Sequence, residues 1–210
     1  NCESLLVTGF GSSHGAALRQ SYQDSPGSSE GARPANFEVV AGDNSSSYIV
    51  HVPHSSTRIP DHVRRQLLLS DDALVRELEL MTDAHTDELA LLASERVSPR
   101  PWLFLNRLSR LVVDPERLPY GHEEMTDVGM GSVYTRTSGG KALRIPGEQA
   151  EQALLNRYLT PYAEARADLA DQRLRTTGYA VGADFHSLQT QTLPYKRHKT
   201  PRRPRAPPPA

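Results

Sequence analysis

Three short polar stretches in this chain each follow an apolar run. They are His54-Ser55-Ser56 after SYIVHVP, Asn106-Arg107 after PWLFL, and Asp184-Phe185-His186-Ser187 after GYAVGA. Two histidines at strand ends with acids nearby have the composition of a catalytic zinc site with two imidazoles, one carboxylate and a fourth position left for water. Water at such a site becomes a nucleophile near neutral pH. The carboxylate is open at this stage. Asp83 and Asp87 are four apart and share a helix face, so either can meet the histidines while the other orients a ligand. Asp184 and His186, two apart, point to one side of an extended segment. Asp184 therefore either binds a metal itself or accepts the hydrogen bond behind a ligand. Asn106, Arg107 and Arg110 offer an amide and two guanidinium forks suited to a substrate carboxylate, or they form a salt-bridged strand exit.

Each group also has a plainer reading. A histidine after a strand is commonly a hydrogen-bonded structural residue, and the acids of DAHTDEL are commonly a solvated helix face. His85, between those acids, is expected at the surface. His51 within the first strand, His62 on a polar helix face, His122 in a loop and His14 in a polar segment are weaker candidates. Asp114 and Arg117 are expected to hold their loop in place. No G-x-S-x-G elbow supports Ser55 or Ser187 as a nucleophile, and GMGS lacks the lysine of a phosphate loop.

The elements that must position these residues alternate in type. Tyr48–Val52 is a β-branched apolar strand stopped by Pro53. Helical signals follow: Pro60-Asp61 at one start, Ser70 as an N-cap ahead of Asp71-Asp72, then DAHTDELALLASER with Leu89, Leu92 and Ala93 as its buried side. A second strand covers 101–105. Residues 115–147 are loop-rich. A long helical pattern from Pro146 to Thr176 places Leu154, Leu155, Tyr158, Leu159, Tyr162 and Leu169 on one face, with Pro161 expected to kink or split it. A third strand covers 179–185. This alternation predicts an α/β domain with a twisted, largely parallel sheet flanked by helices. In such sheets ligands gather beyond the carboxyl ends of the strands, where all three polar stretches lie.

Composition sets the outer limits. The 210 residues suffice for one domain with tails, and an apolar fraction of 37% places a polar excess in segments that do not pack. Residues 1–47, rich in Ser and Gly, and the basic Pro-rich stretch 196–210 are the two such segments expected, around a domain over 48–195. A net charge of −1 gives no global attraction to nucleic acid or a membrane. The single cysteine, Cys2, excludes an internal disulfide and a cysteine-based zinc cluster. With no signal-like or membrane-spanning run, the expected location is cytoplasmic.

Six ordered motifs, VPHSSTRIP, LMTDAHTDELA, NRLSRLVVDPERLP, GSVYTRT, LLNRYLTPYAEA and ADFHSLQTQTLPY, resemble the N-formylglutamate amidohydrolase (N-formylglutamate deformylase) family over about residues 48–195. That family is similar in fold to zinc carboxypeptidases. The resemblance implies one zinc ion on His54, His186 and an acid best matched by Asp83, less well by Asp87. It implies that Ser55, Asn106, Arg107 and Arg110 line the substrate site, with Arg107 or Arg110 steadying the oxyanion or a carboxylate. The implied reaction converts N-formyl-L-glutamate, or a related N-acyl amino acid, to formate and glutamate, a late step in one histidine-degradation route. The related carboxypeptidases carry a general-base glutamate on a late strand. After Tyr195 this chain instead reads KRHKTPRRPRAPPPA, with six Lys or Arg, five Pro and no acid. That stretch is expected to be extended and unpacked, in the manner of a frameshifted or truncated end, leaving either an enzyme without its base or a non-catalytic metal-binding relative. An interaction protein working through the Pro-rich tail is the remaining alternative.

Overall fold

The computed structural model describes residues 6–9, 36–119 and 124–187. A five-stranded sheet, ordered β1-β5-β3-β4-β2, organises them. Its centre is parallel, as the alternation of elements predicts: β3 (Tyr48–Val52) lies between β4 (Trp102–Asn106) and β5 (Val181–Asp184). Both edges are antiparallel, with β1 (Leu6–Gly9) on β5 and β2 (Phe37–Val40) on β4. These two edge strands fall within the stretch 1–47 that composition alone marks as unpacked. Four residues each are too few to stand out among Ser and Gly, and it is pairing with a neighbour that makes them strands.

Side chains alternate across the sheet and define two cores. On one face Ile49, Phe104, Tyr162, Leu169 and Ala170 pack with Phe37 and Trp102 beneath α6 (Thr160–Thr177). On the other, Val52, Leu103 and Leu105 pack with Val40, Val50, Phe185 and Ala90 of α3 (Thr86–Ser94). The exposed and buried sides of α3 differ from the sequence expectation. Thr86, Ala90 and Ser94 face inward, while Leu89 and Leu92 are 46% and 54% exposed. Small residues on the inward side let this short helix lie close over the strands, which leaves the leucines outward.

The remaining helices gather around the segment after β4, Val63 and Leu154 in one cluster with Leu108 and Val112, Leu74 and Met81 in another with Leu111 and Tyr134. Between β3 and α3, α1 (Asp61–Arg64) begins after Pro60, and α2 (Asp71–Met81) begins at Ser70, whose hydroxyl accepts from the Ala73 amide as the N-cap pattern predicts. The loop-rich 115–147 carries only one turn of helix, α4 (Glu124–Asp127), among its described residues. It is fastened from below by the buried Glu77, which accepts from the Ser138 amide and hydroxyl. The long pattern after Pro146 divides as expected. It forms α5 (Glu148–Leu154), a π-helical turn over Leu155–Leu159, and α6. Pro161 has no N–H for the carbonyl four residues back, and the wide turn just before it absorbs that break. All six apolar positions of the pattern are buried.

Phe104 is fully buried, stacked on Phe37 at 5.1 Å and edge-on to Tyr162 at 5.0 Å between centroids. Phe104→Ala is therefore expected to cost about 3–5 kcal/mol in chemical denaturation. Leu92→Ala, on the outward side of α3, is expected to change stability by less than about 0.5 kcal/mol. Similar losses for the two would contradict this assignment of faces.

Candidate metal and catalytic site

The polar ends of β3 and β5 meet, with ring centroids of His54 and His186 5.3 Å apart. His54 follows the Pro53 that ends β3, and its amide-bearing loop is tied to the α2–α3 turn by the bond from the Asp83 amide to the His54 carbonyl. Asp83 is thus carried to the histidines by backbone pairing as well as by its charge. Its Oδ2 lies 2.8 Å from His186 Nδ1 and 3.7 Å from His54 Nδ1. Glu116, from the loop after β4, reaches the same place: Oε1 is 3.1 Å from His186 Nε2 and Oε2 is 3.5 Å from His54 Nδ1. One ligand atom each from His54, Glu116 and His186 fall within 4.8 Å of one another.

The orientation of His54 is set from behind. Its Nε2 lies 3.0 Å from Asp114 Oδ1, and Asp114 is wholly buried. Arg110 donates twice to Asp114 Oδ2, Tyr134 donates to the same oxygen at 2.5 Å, and the Glu116 amide donates to Oδ1. Burial alone would raise this carboxyl; the Arg110 guanidinium, His54 and the Tyr134 hydroxyl override it and hold Asp114 well below the usual range. Burial and the adjacent Asp114 charge together push the Tyr134 phenol up, so it stays a donor.

An ionised carboxylate only accepts, so His54 Nε2 carries a ring proton and donates to Asp114, which leaves Nδ1 as the nitrogen that faces forward. That Nδ1 is buried and has no hydrogen-bond partner among the described residues. It faces the carboxylates of Asp83 and Glu116, at 3.7 and 3.5 Å, so a proton or a metal ion on this nitrogen lies against two anions. His186 stands between the same two carboxylates. Its hydrogen bonds to Asp83 and Glu116 outweigh burial and push it up to about 10. For Asp83, burial is outweighed by the bonds to His186 and His54, which bring it down to about 2. Imidazole nitrogen and carboxylate oxygen are the donor set that suits zinc, so the residues fit the ion that the sequence implies.

The other expected site residues have neighbours of their own. Asp87 binds Arg107 Nη1 at 2.8 Å, and Arg107 also holds Glu38 at the surface. Asn106 is buried, donating to the Pro53 carbonyl and accepting from the Leu108 amide, which joins the ends of β3 and β4. Arg110 is engaged by Asp114 and Tyr134. The Ser55 hydroxyl is buried beside His54 and makes no hydrogen bond among the described residues. Asp184 accepts from His51 Nδ1 at 2.7 Å and Arg166 at 3.0 Å. His62 meets the Tyr158 hydroxyl at 2.8 Å, and His85 is exposed beside Glu88. His14 and His122 lie outside the described residues. Sequence reasoning missed Glu116. Its signal was position alone: it lies two residues after Asp114, in the turn that Asp114 opens.

Removing the Asp114 charge leaves Arg110 buried without its partner, so Asp114→Asn is expected to destabilise the fold by about 3–5 kcal/mol. Tyr134→Phe removes one hydrogen bond to a charge and is expected to cost about 1.5–3 kcal/mol. Urea denaturation of both variants checks the order; an Asp114→Asn protein as stable as Tyr134→Phe would contradict it.

Comparison with known proteins identifies the family and the fold. A family model described as N-formylglutamate amidohydrolase matches residues 46–205, which include all four residues of the cluster. The match reaches into the basic stretch beyond Tyr195, further than the quoted motifs do. The crystal structure of N-formylglutamate amidohydrolase from Ralstonia eutropha JMP134 is similar in fold, with a TM-score of 0.58 and 20% identity over 69% of this chain and 55% of that one. A gene product of Agrobacterium tumefaciens is similar at a TM-score of 0.53 and 20% identity, over 78% of this chain and 60% of that one. The chain thus spans somewhat over half the length of these solved relatives. No curated protein matches it in sequence. Among the described residues no helix is long and apolar enough to cross a membrane. Since the family model covers most of the sequence and the whole cluster at the strand ends, the chain belongs to the N-formylglutamate amidohydrolase family.

Proposed function

We propose that this chain is a zinc-dependent amidohydrolase that cleaves the formyl amide of N-formyl-L-glutamate to formate and glutamate, with related N-acyl amino acids as the wider substrate class. Family and fold support amide hydrolysis. The observation that carries the metal reading is His54 Nδ1: buried, oriented from behind by Asp114, and facing two carboxylates without a hydrogen bond. His54 through Nδ1, Asp83 and His186 would hold the ion. The chemistry zinc supplies when bound is Lewis acidity toward an amide carbonyl and toward water.

The chain's own residues supply the rest. Glu116 is the carboxylate of the cluster with the more exposed side chain, at 26% against 14% for Asp83. Burial would raise it, but His186 and His54 hold it below its ordinary value, so it is ionised and able to accept a proton. In hydrolysis it takes that proton from the attacking water and returns it to the departing amine nitrogen as the C–N bond breaks. Arg107, about a third exposed at the mouth of β4, is the guanidinium suited to a substrate carboxylate, exchanging its surface partner Glu38 for the ligand.

Zinc content and formate release from N-formylglutamate, measured on the same samples, test this reading. His186→Ala and Asp83→Asn are expected to lose both. Glu116→Gln is expected to keep zinc and lose about 10²-fold or more in kcat. Zinc lost in Glu116→Gln but kept in Asp83→Asn would make Glu116 the ligand. Zinc without formate in the unaltered chain would leave a metal-binding protein and overturn the enzymatic reading.

A further inference from the structure

The hydrolytic scheme makes no use of a buried polar cluster beside the site. On the α6 side of the sheet, His51 of β3 is 1% exposed and sits directly opposite Asp184 of β5 in the strand register. Its Nδ1 is 2.7 Å from Asp184 Oδ1 and its Nε2 is 2.5 Å from the Tyr162 hydroxyl. Burial lowers His51, and burial also keeps the Tyr162 phenol protonated. An ionised carboxylate only accepts, so the ring proton of His51 lies on Nδ1 toward Asp184 and Nε2 is left to accept. Tyr162 donates to His51 Nε2, and His51 Nδ1–H donates to Asp184, which also accepts from Arg166.

This chain of bonds ends two residues before His186. At Asp184 the strand stops, and the next backbone tie is the Phe185 amide on the His51 carbonyl. His51 thus grips both the side chain at the last strand position and the backbone just beyond it. Beyond that tie His186 meets Asp83 and Glu116 through its side chain. A histidine in mid-strand on a buried face is costly unless both ring nitrogens are satisfied. Here both are satisfied by groups that define where β5 ends and where α6 crosses it. One ligand atom each of His51, Glu116 and Asp184 fall within 4.8 Å of one another, so this cluster abuts the site. The Arg166 cation bound to Asp184 makes it a poor place for a second metal.

We infer that His51 is a positioning residue of the site: through Asp184 it fixes the exit of β5 so that His186 arrives on Asp83 and Glu116. This rests on the metal reading above. The two side-chain bonds of His51 can be separated, because an Asn amide mimics Nδ1 and a Gln amide mimics Nε2. His51→Asn keeps the bond to Asp184, His51→Gln keeps the bond to Tyr162, and His51→Leu keeps neither.

Zinc titration by calorimetry, with thermal melting of each metal-free protein as the folding control and the absorption spectrum of the cobalt-loaded proteins as a report on ligand geometry, tests the inference. His51→Leu and His51→Gln are expected to bind zinc about tenfold or more weakly and to change the cobalt spectrum. His51→Asn is expected to restore both toward those of the unaltered chain, whatever its melting temperature. Equal zinc affinity in all four proteins would overturn the inference while leaving the metal reading intact. Affinities that follow melting temperature, with no rescue by Asn, would reduce His51 to a packing residue and overturn it too. Absence of zinc binding by the unaltered chain would overturn the metal reading and this inference with it.

Discussion

Everything at the site depends on one buried anion. Asp114 has no exposure to water and is paired with Arg110, Tyr134, His54 and the Glu116 amide at once. A carboxylate taken out of water is tolerable only when each oxygen is matched by donors, and a partner removed from such a set leaves an uncompensated charge. The set also transmits orientation. The bond to His54 fixes which imidazole nitrogen carries the proton, and the bond from the Glu116 amide fixes the path of the loop that brings in the nearer carboxylate. One ionised group behind the site thereby decides which nitrogen faces the front.

The sheet explains why these groups meet. Parallel strands β3, β4 and β5 deliver their carboxyl ends to one edge, and each end is closed by a polar tie rather than by more strand. Asn106 links the exits of β3 and β4. His51 and Asp184 link β3 and β5 within the sheet. The α2–α3 turn brings Asp83 by pairing its amide with the His54 carbonyl. Two carboxylates drawn to one place repel each other, and the imidazoles between them offset that repulsion. Here one backbone pair and two side-chain ties hold the strand exits that carry the cluster.

Much of this was legible in the sequence where the signal was local and periodic. Apolar runs ending in His54, Asn106 and Asp184 identified three central strands, and the positions from Leu154 to Leu169 identified the long helical face with its break at Pro161. The meeting of His54 and His186 at neighbouring strand ends followed from residue type and placement. The edge strands Leu6–Gly9 and Phe37–Val40 were not legible, because they owe their form to a partner far away in sequence. Thr86, Ala90 and Ser94 were not legible as the inner side of α3, since hydropathy favours the leucines and close approach favours small residues. Glu116 was hidden because a lone acid in a loop has no period. Asp114 was read as a loop anchor, and it anchors the site as well.

The most direct test is anomalous diffraction at the zinc edge from crystals of the zinc-loaded chain. A single peak is expected at bonding distance from His54 Nδ1, shared with His186 and one carboxylate, while His54 Nε2 stays on Asp114. A peak on Nε2, or one remote from His54, would contradict it.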